Sequence, residues 1–100
     1  MSWVADVILV TSLSDEDNNA LDAWLLDEYP TRGRLVRVDD HAGGNKSMQV
    51  RVSLGAYNHL DIEGLVNAFR AIRWEIPEYA QLMVKDENDD TFAIYRPLEA

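Results

Sequence analysis

The run VADVILVTS, residues 4–12, is β-branched and apolar almost without interruption, with Asp6 its one charge. Such a run predicts a central strand, covered on much of both faces, and the rest of the chain is read as what surrounds it. Immediately after it, SDEDNNALDAWLLDEYP (14–30) changes period. Ser14 with Asp17 three residues on is a capping-box analogue, acids fill the first turn where the helix dipole favours them, and Ala20, Leu21, Trp24 and Leu25 recur at helical spacing. Pro30 ends that helix.

RLVRV (34–38) and MQVRVSLGA (48–56) alternate with period two. The alternation places Val36, Val38, Met48, Val50, Val52 and Leu54 on one face and Leu35, Arg37, Gln49, Arg51 and Ser53 on the other, and the Gly-containing stretch between the two runs predicts a hairpin. In NHLDIEGLVNAFRAIRW (58–74), Ile62, Leu65, Val66, Phe69 and Ile72 form one apolar stripe, opened near Asn58 or Asp61 and closed by Arg70 and Arg73 at the negative end of the dipole. AQLMVKDENDDTFAIYRP (80–97) reads as a further hairpin, with Leu82, Val84, Phe92 and Ile94 on its runs and the acidic DENDD as its turn. The order βαββα plus a C-terminal β-hairpin predicts an α+β fold of the ferredoxin-like, split βαβ sandwich kind: an antiparallel sheet with two helices on one face, in a single domain over 1–100.

With helices on one face only, alternate residues of the first strand must meet solvent or a partner. These are Val4, Asp6, Ile8 and Val10, three of them apolar, which predicts an interface. A homodimer through this open face is one reading. Arg37 and Arg51, taken as the outer face of the middle hairpin, would join Arg32, Arg34 and Lys46 in a basic stripe for an acidic ligand or an acidic patch of a second copy.

Length and composition bound the rest. One hundred residues, 47 % of them hydrophobic, with three Trp, four Tyr and two Phe, can fill a modest core. The absence of Cys removes thiolate metal sites, redox pairs and disulfides. No basic leader precedes the first apolar run and no stretch approaches the ~20 apolar residues of a membrane span, so a soluble cytoplasmic protein is expected.

Charge is unevenly laid out. Residues 1–31 hold seven acids and no Lys or Arg, residues 32–51 hold five basic residues against Asp39 and Asp40, and residues 52–100 hold nine acids against four basic residues, for a net charge of −9. A field of that sign disfavours direct nucleic-acid or membrane partners and favours a basic protein. The acids Asp15, Glu16, Asp22, Asp27 and Glu28 of the first helical segment form the candidate partner-binding face. The leading functional reading is therefore a small acidic protein-binding module of the inhibitor or immunity type, and the alternative is a homodimeric regulatory or small-ligand-binding domain.

Enzymatic chemistry finds little footing. In DDHAGGNKS (39–47), Asp39, Asp40 and His41 are acid/base or hard-metal residue types, yet in a strand only Asp39 and His41 could converge, and Gly43-Gly44-Asn45 reads as turn chemistry. The Gly-Gly-Asn-Lys loop enters a strand, so no helix dipole would face a phosphate. Asp86, Asn88 and Asp90 imitate the opening of a calcium loop, but Thr91 and Pro97 stand where Gly and Glu are required. His59, beside Asp61, has no Ser, Cys or second His at a triad-like spacing. No catalytic residue, cofactor or metal ligand is assigned. Trp24 and Trp74 are expected in the core, and Trp3 either over the open sheet face or at a contact.

Overall fold

A computed structural model describes residues 3–15 and 19–97. The elements run β1 (Val4–Ser12), α1 (Asn19–Glu28), β2 (Val36–Arg37), β3 (Val50–Asn58), α2 (Ile62–Ala71), β4 (Gln81–Asp86) and β5 (Ala93–Tyr95). All pairings are antiparallel, in the order β2-β3-β1-β4-β5, so β1 occupies the middle of an open α+β sheet. Its centrality follows from length and apolarity: nine residues pair with β3 on one side, and six pair with β4 on the other. The run is not covered on both faces, however. Ala5, Val7 and Leu9 are each 1 % exposed, while Val4 is 40 % exposed and Ile8 and Val10 are half-buried.

The helices cover the Ala5–Val7–Leu9 side. Asp61 caps α2, its Oδ1 accepting the Gly64 N–H at 3.0 Å, and the apolar stripe expected from the spacing buries Leu65, Val66 and Phe69 with Ile62 and Ile72 packed beside them. From α1, Leu21 and Leu25 reach full burial and Trp24 packs partly buried against the same cluster, whereas Ala20 is exposed. Trp74 closes the core after α2, its ring 5.4 Å from Phe69 and its Nε1 donating to the Phe69 carbonyl at 3.1 Å. Each fully buried Leu or Phe contributes about 1.5–3 kcal/mol, so this one cluster carries the fold without disulfides.

The middle hairpin departs from expectation. The runs 34–38 and 48–56 were expected to pair along their length, but β2 shrinks to Val36 and Arg37, the chain makes a 3-10 turn at Asp39–His41, and Met48 lies exposed outside the strands. A side chain replaces the ladder: after the Val38 N–H reaches the Val52 carbonyl at 2.8 Å, the Val52 N–H is taken by the Asp39 carboxylate at 3.0 Å. The C-terminal hairpin forms as read, except that Phe92 falls just outside its second strand. β4 and β5 pair through Leu82–Tyr95, Met83–Ile94 and Val84–Ala93, and the acidic turn is closed by the Asp89 N–H on the Asp86 carbonyl.

Candidate functional site

Paired residues in a sheet share a face, so the register composes the open side directly. Val36 pairs with Leu54, Leu54 with Ile8, Ile8 with Met83 and Met83 with Ile94. One apolar residue from each of the five strands thus stands in an unbroken row across the uncovered face. Val10 with Val52 extends the apolar surface on one side of the row, and Ala56, Asp6 and Lys85 lie on the other. Val36 is 62 %, Ile94 58 % and Leu54 40 % exposed, where burial would ordinarily be sought.

Val4, Ile8 and Val10 lie on this face as their parity in β1 requires. Arg37 and Arg51 do not join them. Arg37 pairs with Ser53 and Arg51 with Thr11, on the Leu9 side of the sheet, so the two arginines belong to the margin of the helix-covered face. Their assignment to the outer face is corrected by the register: Leu35 and Tyr57, apolar residues of the same parity, are the ones drawn into the core. Val36, Leu54, Met83 and Ile94 were missed as site residues. The signal lay in the alternation of 48–56, which already grouped Leu54 with Val36 against the arginines.

Asp39 is a brace. Its buried carboxylate binds Arg37 through Nε at 2.8 and 3.0 Å and Nη2 at 2.8 Å, and that charge-assisted pair, helped by the Val52 N–H, holds the carboxyl down to about pKa 2. His41 is exposed, its Nε2 3.7 Å from Asp40, while His59 sits at the far end of β3 with φ 54° and its ring 5.5 Å edge-on to Trp3. Trp3 is thereby engaged at the end of the sheet.

The acidic residues of the first helical segment divide by role. Asp15 accepts the Glu75 N–H at 2.7 Å and the Ile76 N–H at 3.4 Å, stapling the β1–α1 loop to the segment after α2. Asp22 accepts the Leu35 N–H at 3.1 Å and so anchors the chain entering β2. Asp27 and Glu28 are exposed, and Glu16 lies outside the described residues.

A cleft of about 590 Å³ opens beside the 39–48 loop, and a shallower one of about 380 Å³ lies between α2 and Tyr95. Among the described residues no group of three or more His, Asp or Glu side chains gathers in a metal-binding arrangement, and no helix is long and apolar enough to cross a membrane. No protein-family model, curated protein or solved structure matches this chain.

Proposed function

We propose that this protein is a homodimeric regulatory domain that pairs through its open sheet face with a second copy of itself. The observation that carries the reading is the five-residue apolar row Val36–Leu54–Ile8–Met83–Ile94. Two features favour a second copy as the occupant. Among the paired strand positions of this face the charges are Asp6 and Lys85, neighbours across β1 and β4, so the face is neutral in a chain of net charge −9 and is where two such chains approach with least repulsion. Five strands about 4.8 Å apart also outline about 500 Å² in projection, and more in accessible area, near the roughly 800 Å² per partner of a standard interface.

We read the architecture as a ferredoxin-like split βαβ sandwich extended by a fifth strand. What supports this is that α1 joins the parallel strands β1 and β2 across β3, and α2 joins the parallel strands β3 and β4 across β1. A binding role without catalysis, in the cytoplasm, accords with a chain that has no Cys and no convergent acid/base set in its sequence.

Sedimentation velocity over a concentration series tests the dimer. The expected result is a dimer that persists in high salt and dissociates on Ile8→Lys, with the far-ultraviolet circular dichroism of the monomer unchanged. A wild-type monomer at high micromolar concentration rejects the reading.

A second reading, capture of a basic protein, is favoured by one detail. Asp27 and Glu28 lie at the C-terminal end of α1, where no basic residue offsets them and the dipole disfavours acids, so helix stability does not explain them. Replacing both by Asn and Gln slows association with such a partner if that face is used.

A further inference from the structure

The 590 Å³ cleft beside the 39–48 loop is of ligand size, and it brings Arg37 and Lys46 together with Asp39 and Asp40. Arg37 and Lys46 line it together with Asp40, Ser47, Leu13 and Met48. Arg37 is the organising group. Its Nε and Nη2 are clasped by Asp39, which is buried and anchored by the Val52 N–H, so the guanidinium is fixed in place while its side chain stays 44 % exposed. Among the described residues the Nη1 edge has no protein partner, which leaves a rigid fork of donors of the geometry that a carboxylate fills with two parallel hydrogen bonds. Lys46 adds a second cation and Ser47 a hydroxyl, while Leu13 and Met48, 44 % and 38 % exposed, supply apolar wall.

Asp40 limits what can bind. Its exposed carboxylate lines the same cleft, with the His41 Nε2 3.7 Å away and Asp39 already committed to Arg37, so a bare anion meets repulsion there. A ligand that brings its own hydrogen-bond donor turns that repulsion into a contact. The net charge of −9 further disfavours a dianion relative to a singly charged group. We propose that this cleft binds a small carboxylate carrying a hydroxyl or ammonium group, held through Arg37 and Lys46 at its carboxylate and Asp40 at its donor. Arg37 faces the margin of the helix-covered side, opposite to the apolar row that Val36 ends, and the proposed binding is formulated for one copy of the chain.

The test is titration of the uniformly ¹⁵N-labelled protein with lactate and with serine, following the Arg37 Nε–H signal and the backbone amides of residues 44–48. Acetate and inorganic phosphate serve as probes lacking either the donor or the planar carboxylate. The expected result is saturable shifts confined to these signals with lactate or serine at a dissociation constant of about 1 mM or tighter, and binding at least about fivefold weaker with acetate and with phosphate. A lactate preference identifies the donor as a hydroxyl, and a serine preference identifies it as an ammonium group. Lys46→Gln, which removes no described intramolecular contact, weakens binding about threefold to tenfold with the spectrum otherwise intact, and Asp40→Asn abolishes the preference over acetate. Absence of saturable shifts, equal response to acetate or phosphate, or unchanged affinity in Lys46→Gln overturns the proposal.

Discussion

Asp39 holds Arg37, two residues before it, with both carboxylate oxygens, and its Oδ1 also receives the Val52 N–H from the neighbouring strand. One side chain thus ends the β2–β3 ladder and fixes the guanidinium at the mouth of the cleft. The brace also ties stability to acid. The Arg37 hydrogen bonds, then the Val52 N–H, lower the Asp39 pKa from 3.8 to about 2. A group depressed on folding contributes fully above its unfolded value and loses that contribution as pH falls through the folded one. Wild-type stability should therefore fall between about pH 4 and pH 2, by on the order of 1 kcal/mol after discounting for the half-exposed partner, and Asp39→Asn should flatten that part of a urea-denaturation pH profile.

Tyr57 gives the complementary alkaline prediction. Its hydroxyl donates to the Gly33 carbonyl at 2.8 Å within the core, and burial pushes its pKa from 10 up to about 12, with Asp22 and Tyr29 adding to the rise. The unfolded chain then releases this proton first, so stability declines as pH rises from about 10 to about 12. Tyr57→Phe removes that dependence and leaves the Gly33 carbonyl unpaired, at a cost of about 1–2 kcal/mol measured by chemical denaturation at neutral pH.

Gly33 is required by close approach. A Cβ there would run into the Tyr29 and Leu25 carbonyl oxygens at the end of α1, which are backbone atoms that cannot swing aside. Gly33→Ala should cost about 1–3 kcal/mol through the shift it forces, read as a lower midpoint in thermal unfolding, whereas Gly43→Ala, where a Cβ meets nothing within 4 Å, should be close to neutral.

The acids around α1 should separate in a stability assay. Asp15→Ala removes the acceptor for the Glu75 and Ile76 N–H groups and should destabilise by about 1 kcal/mol, while Asp27→Asn and Glu28→Gln should leave stability unchanged or raise it slightly by easing the clash with the helix dipole. Equal effects at all three positions would contradict the division of roles.

The sequence by itself determined the elements that carry their own periodicity. The apolar β-branched run at 4–12, period 3.6 in 62–72 and the acidic turn at 86–90 are local patterns that persist in the fold as a central strand, a helix and a hairpin turn, although only the fold showed that the run at 4–12 is covered on one face alone. Strand parity set Val4, Ile8 and Val10 on the open face. Tertiary structure alone decided which side of the middle hairpin faces out, because alternation names two faces without saying which one the helices cover, and the pairing of Ser53 with Leu9 settles it. It alone turned Asp39 from turn residue into brace, and Asp15 and Asp22 from displayed charges into acceptors for Glu75 and Leu35. A carboxylate's role depends on which backbone N–H lies within hydrogen-bonding distance of it, and for partners 13 to 60 residues away in the chain only the folded register supplies that distance.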